Sequence, residues 1–172
     1  MKALLLSAGL GTRLGNLTEE TPKPMIEIAG KPVLDHLVTH LYGYGITDIL
    51  INVHHKKDVI TEYFGDKLTY IYEPVLLGDV ASTKKIVYIV SDDIVVMNGD
   101  TLTDIDIHAM HRDACIEKAS ISSFEDMTYT GTTLFLRDYR NRIVIKEYGC
   151  YWQDIGTLMG LAKAREKYET HL

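Results

Sequence analysis

Residues 7–24 read SAGLGTRLGNLTEETPKP and follow directly on a short apolar run, Ala3-Leu4-Leu5-Leu6. The run has the length and composition of a β-strand. Gly9, Gly11 and Gly15 then open the backbone, while Thr12, Arg13 and Lys23 bring donors and two positive charges. Without a Cβ in the way, a glycine loop leaving a strand can press bare N–H groups against phosphate oxygens. Arg13 can fork two N–H bonds onto a phosphate, and Lys23 acts as a compact point charge. The segment is therefore suited to hold a polyphosphate at the end of a strand.

The rest of the chain repeats the strand-then-helix pattern. Strands are predicted at 2–7, 48–53, 69–72 and 94–98. The helix at 32–44 starts on Pro32, carries Leu34, Leu37, Val38 and Leu41 as its apolar stripe, and ends at Gly45. Further helices are expected at 58–64, closed by Gly65, and at 80–90. Repeated βα units predict an α/β fold, a Rossmann-like and mostly parallel sheet flanked by helices. Ligands of such sheets sit at the carboxyl ends of strands. The glycine loop and Asp100 both follow strands directly, so the two can face one cleft. Short strands at 119–124, 132–136 and 142–146, with a turn at 138–141, predict a small antiparallel hairpin extension. A last amphipathic helix is expected at 158–168, with Leu161, Ala162 and Arg165 in its pattern. With 172 residues and no visible repeat or linker, residues 1–172 are expected to form a single domain.

Two familiar glycine loops do not match. The P-loop needs G-K-[ST] after its glycines, but Gly11 is followed by Thr12-Arg13. The dinucleotide fingerprint needs an acid at the end of the second strand, where this chain has Asn52-Val53-His54. The string as a whole does match something. G-L-G-T-R, a spacer and P-K-P, continuing through residues 25–32, resemble the signature of sugar-phosphate nucleotidyltransferases. Two distant segments agree in the family's order. Asn98-Gly99-Asp100 resembles its N-G-D, and Trp152-Gln153-Asp154-Ile155-Gly156-Thr157 resembles its W-x-D-[IVT]-G-T.

The resemblance, nearest to mannose-1-phosphate and heptose-1-phosphate guanylyltransferases, carries several implications. The reaction would join a nucleoside triphosphate to a sugar 1-phosphate, giving a nucleotide sugar and pyrophosphate. Asp100 and Asp154 would bind magnesium, and Arg13, Lys23 and Asp100 would be catalytic. Leu6, Ala8, Gly9, Gly11, Thr12 and Arg13 would hold the nucleotide. Glu73 to Ala81 resembles E-x-x-x-L-G-T-A-G, which adds Glu73, Leu77 and Gly78 to the nucleotide site. Here T-A-G has become Asp79-Val80-Ala81. The L-G pattern leans towards GTP or UTP.

The acceptor side departs further. Family members usually carry a sugar-binding insertion and an E-K-P motif before W-x-D-I-G-T. Here Val144-Ile145-Lys146-Glu147-Tyr148-Gly149 leads almost at once to Trp152, with Lys146 standing for the motif lysine but no proline after it. The acceptor pocket is then cut down, open to solvent, or completed by a second subunit in a homo-oligomer. Two other functions stay open on this ground: a catalytically weak regulatory module binding a nucleotide or nucleotide sugar, and a nucleotidyltransferase for another small phosphorylated acceptor.

Composition narrows the partners. A net charge of −6 with dispersed basic residues argues against a nucleic-acid surface. No apolar stretch approaches membrane-spanning length, and the apolar run at residues 3–6 is too short for a signal peptide. Cys115 and Cys150, without a C-x-x-C, read as free thiols in a reducing cytoplasm. His36 and His40 stand one helical turn apart and are expected on a solvated helix face. Residues 54–57 are expected in a solvated loop, and Asp104 or Asp106 is expected to cap a polar helix that carries His108 and His111.

Overall fold

The computed structural model describes residues 1–90, 92–116, 134–137, 143–146 and 150–169. In chain order it contains β1 (Lys2–Leu6), β2 (Glu27–Ile28), β3 (Lys31–Pro32), α1 (Val33–Gly43), β4 (Ile49–Val53), α2 (Lys57–Phe64), β5 (Thr69–Tyr72) and α3 (Asp79–Ile89). There follow β6 (Ile94–Asn98), β7 (Thr101–Thr103), α4 (Ile107–Ile116), β8 (Leu134–Arg137), β9 (Ile143–Lys146), β10 (Trp152–Asp154) and α5 (Leu158–Glu169). Short 3-10 turns at Thr12–Thr18 and Lys23–Met25 carry the glycine loop and Lys23.

The main sheet has the order β5-β4-β1-β6-β8-β9. Its first four strands are parallel, with Leu5 opposite both Ile51 and Met97. Every residue of β4 and β6, and all of β1 after Lys2, is buried. A strand covered by helices on both faces has no polar side to show, so its sequence is a continuous apolar run. On one face Ala3, Leu5, Ile49, Ile51, Val95 and Met97 pack against Leu34, Leu37, Val38 and Leu41 of α1, Ile60 and Phe64 of α2, and Met110 of α4. On the other, Leu4, Leu6, Leu50, Ile94 and Val96 meet Ile86 of α3 and Val90 just beyond it.

The strand order accounts for α3 lying on the face opposite α1 and α2. The chain runs outward from β1 to β4 and β5 through α1 and α2, then returns past β1 to β6 through α3. Right-handed crossovers in opposite directions place their helices on opposite faces. The reversal opens a crevice between the carboxyl ends of β1 and β6, where ligands of such sheets bind.

The antiparallel extension is present. β8 runs antiparallel to β6, and β9 runs antiparallel to β8. The expected strand at 119–124 and turn at 138–141 lie outside the described residues. Three features differ from the sequence reading. Pro32 closes the two-residue pair β2–β3 opposite Glu27, so α1 starts one residue later, at Val33. β7 and β10 pair antiparallel, Asp154 opposite Thr101; three-residue strands are too short to show a period in sequence. His36 and His40 are half-buried rather than solvated, each holding a backbone carbonyl at 2.9 Å, of Ile28 and Ile105 respectively. Asp106 caps α4 by accepting from the Ala109 N–H at 2.9 Å. Asp104 instead accepts from the Tyr151 N–H at 2.7 Å, tying β10 to the end of β7. Cys150 is a free, half-buried thiol; the Cys115 side chain lies outside the described residues. Among the described residues no helix is long and apolar enough to cross a membrane.

Candidate active site

The crevice beside β1 and β6 contains a cavity of about 480 Å³, within the size range of small-ligand sites. Leu6, Gly9, Gly11, Thr12, Arg13, Lys23, Asp100 and Asp154 all line it. Four separate stretches of chain therefore bring their charged residues to one space. Apolar neighbours in sequence draw them there. Leu14, next to Arg13, and Ile155, next to Asp154, join one buried cluster with Ile26, Leu102, Leu161 and Ala164.

The glycine loop is held by its own side chains. Gly11 has φ +71°, and a Cβ there would stand 2.9 Å from the Thr18 methyl. Thr18 Oγ1 donates towards the carbonyls of Gly11 and Gly15 at 3.1 Å each, a clamp that closes the loop. Gly9 differs: a Cβ on it meets no protein atom within 4 Å, and the residue faces the cavity. The room above Gly9 is room for a ligand. Ala8 lies buried beneath the loop.

Asp100 sits at the end of a tight turn. The Gly99 N–H donates to the Leu6 carbonyl at 2.8 Å, and the Ile155 N–H donates to the Asp100 carbonyl at 3.1 Å. A Cβ on Gly99 would drive into Ser7 Oγ and stand 3.1 Å from the Leu6 carbonyl oxygen. Gly99→Ala is accordingly expected to lower stability by about 1–3 kcal/mol, read as a lower urea midpoint with an unchanged slope. A midpoint equal to that of the parent protein would show that β1 and β6 can part at no cost.

The four charged groups are close neighbours. Lys23 Nζ forms an ion pair with Asp100 Oδ2, both side chains being largely buried. Asp154 Oδ1 accepts the Gly156 N–H. A Cβ added to Gly156 would lie 2.6 Å from Asp154 Oδ1, 3.0 Å from Arg13 Nη2 and 3.1 Å from Lys23 Nζ. Gly156 thus marks the point where both cations and the second acid converge. Burial pushes the Asp100 carboxyl above the usual range and the nearby Asp154 charge adds to this, against the opposing pull of Lys23.

The predicted Glu73 region is arranged differently from its reading. Glu73 is 3% exposed and is not on the cavity wall. Its Oε1 accepts from Asn52 Nδ2 at 2.9 Å, and its Oε2 accepts from the Leu77 N–H at 3.3 Å. Asn52 Oδ1 in turn accepts from the Ser7 N–H at 2.6 Å. The position where a dinucleotide fold keeps an acid therefore holds an amide that bridges three strand ends. From this stretch the cavity takes Leu76 and Asp79, rather than Leu77 and Gly78. Neither was singled out from sequence as a binding residue, although the change from T-A-G to Asp79-Val80-Ala81 marked the place. Lys146 is the last residue of β9, in register with Leu134.

Residues 2–130 match the family model described as nucleotidyl transferase. The chain belongs to the nucleotidyl transferase family. Among curated relatives, the D-glycero-alpha-D-manno-heptose 1-phosphate guanylyltransferase of Campylobacter jejuni is 38% identical over 112 residues, which cover 62% of this chain and 51% of that protein. A UTP–glucose-1-phosphate uridylyltransferase of Synechocystis is 35% identical over 144 residues, covering 72% of this chain and 36% of that protein. The chain thus spans about half of the first relative and about a third of the second. Among solved structures, a putative glucose-1-phosphate thymidylyltransferase of Bacillus anthracis aligns with TM-score 0.73 at 19% identity, covering 98% of this chain and 95% of that one. HddC of Yersinia pseudotuberculosis, complexed with GMP-PN, aligns with TM-score 0.68 at 21% identity, covering 97% and 99%. These structures share the nucleotidyl transferase fold described above.

Proposed function

We propose that the chain transfers a nucleotidyl group from a nucleoside triphosphate to a sugar 1-phosphate, releasing pyrophosphate. One observation carries the reading: Arg13, Lys23, Asp100 and Asp154 converge on one cavity beside an open glycine loop. The kinship with guanylyl- and uridylyltransferases of sugar phosphates supports the substrate class.

The acid pair suits magnesium. Mg2+ is commonly bound by one or two carboxylates together with substrate phosphates. Asp100 and Asp154 supply two, one in the turn before β7 and one in β10, which pairs with β7, and no third His, Cys, Asp or Glu joins them among the described residues. Burial, with the nearby Asp154 charge adding to it, raises Asp100, and a divalent cation held by the two acids would offset both effects. When bound, the ion neutralises anionic oxygens around the α-phosphorus and aligns both reactants.

The chain's own groups do the rest. The loop amides and Arg13 hold the β- and γ-phosphates and take the charge that builds on departing pyrophosphate. Lys23, released from Asp100, meets charge at the α-phosphate. An acceptor phosphate oxygen forms the new bond to the α-phosphorus as the bond to the bridging oxygen breaks. No nucleophilic side chain is required, because the acceptor phosphate is already ionised at neutral pH. Catalysis is then chiefly positioning and electrostatics. The setting that fits two thiols without a C-x-x-C is a reducing cytoplasm.

The test is pyrophosphate release over the four common triphosphates and a panel of sugar 1-phosphates, with and without magnesium. Magnesium-dependent release with at least one pair is expected. Nucleotide binding without release from any pair would assign the chain to regulation instead.

A further inference from the structure

The cavity wall changes character along its length. The phosphate-directed groups are mutual neighbours, as the convergence at Gly156 shows. Asp79 reaches the same cavity from a different stretch of chain, as the first residue of α3. Leu10 and Leu76 share the wall with it, 44% and 40% exposed. Exposed leucines facing a cavity offer cover for a flat apolar ring. Asp79, at the start of α3, offers a carboxylate to the edge of that ring.

An ionised carboxylate only accepts hydrogen bonds, and it can accept two in parallel. Among the common bases, guanine alone presents two adjacent donors, N1–H and the 2-amino group. Uracil presents one N–H between two carbonyl oxygens, whose lone pairs a carboxylate repels. Adenine and cytosine each pair a single amino donor with a bare ring nitrogen. Glu73 is not free for this reading, because both its oxygens accept from Asn52 and Leu77.

We propose that Asp79 is the base-selecting residue of the site and makes this nucleotidyl transferase specific for a guanine nucleotide, with the ring lodged between Leu10 and Leu76. The inference rests on the function proposed above and adds the identity of the base. It also separates two classes of relative that overall similarity leaves together, the guanylyl- and the uridylyltransferases.

Calorimetric titration with non-hydrolysable analogues of GTP, ITP and UTP, in magnesium, tests it on the parent protein and on Asp79→Asn and Asp79→Thr. ITP lacks only the 2-amino group. The parent protein is expected to bind the GTP analogue about 10- to 100-fold more tightly than the UTP analogue, with ITP about tenfold weaker than GTP. Both gaps should shrink to within a few-fold in the variants. Asp79 is exposed at a helix start, so both variants are expected to fold. A loss of helix stability alone would weaken all three ligands alike and leave the ratios unchanged. Equal affinity for GTP and UTP in the parent, or a preference for GTP that survives both substitutions, would overturn the proposal while leaving nucleotidyl transfer standing. Absence of binding by any triphosphate would overturn both.

Discussion

Asp100→Asn is expected to lower pyrophosphate release at least 100-fold while leaving the protein folded. The two effects separate because of where Asp100 sits. Its side chain is 9% exposed, faces Lys23 and shares its surroundings with Asp154. In the ligand-free protein ionised Asp100 bears a burial cost, which the asparagine avoids at nearly the same volume. The amide oxygen can still accept from Lys23, so little packing is lost. What disappears is one of two charges available to a divalent cation and to the transition state, an effect of several kcal/mol in comparable metal sites. Steady-state turnover and thermal unfolding, measured together on the purified variant, check both halves. Turnover within a few-fold of the parent would remove Asp100 from the reacting centre. A collapse of stability with the loss of turnover would make its role structural.

Lys23→Met should lose both stability and turnover. Removing the ammonium leaves Asp100 facing Asp154 with no counter-charge from Lys23, and breaking a largely buried pair costs about 3 kcal/mol. The variant is expected to melt at a lower temperature than Asp100→Asn and to lose at least 100-fold in turnover, since the cation proposed to meet the α-phosphate is gone. Magnesium should restore more of the melting temperature in Lys23→Met than it adds to the parent protein, because the ion fills the electrostatic gap left by the lysine. A thermal-shift series across magnesium concentrations distinguishes the cases. Equal shifts in both proteins would show that the ion does not meet this pair of acids.

Much of the fold was legible because parallel strands leave a plain trace. Ala3 to Leu6, Ile49 to Val53 and Ile94 to Asn98 are nearly unbroken apolar runs, since neither face meets water. The pairing of β7 with β10 was not legible. It joins two three-residue segments some fifty positions apart, held by backbone hydrogen bonds that no side-chain period records. His36 and His40 were misplaced for a related reason: their partners, the carbonyls of Ile28 and Ile105, belong to other elements, and spacing along one helix says nothing of them.

The site divides in the same way. Arg13, Lys23, Asp100 and Asp154 stood out because each lies in a short motif of unusual residues. Glu73 stood out for the same reason, yet its two oxygens are occupied by Asn52 and Leu77. A carboxylate's partners come from wherever the chain folds back, so its availability to a ligand is a tertiary property. Asp79, two residues beyond Leu77, attracted no role from pattern alone and reaches the cavity because α3 starts at the rim.

Asn52 gives the molecule a mechanical property that none of the reacting groups has. A single carboxamide rivets the start of the glycine loop, through Ser7, to the segment leading into α3, through Glu73 and Leu77. In the proposed binding mode, the two ends of the nucleotide are gripped by parts that cannot drift independently. A slackened rivet at the tip of β4 would blur the register between them, and the protein would lose accuracy at both ends through a residue that lines neither.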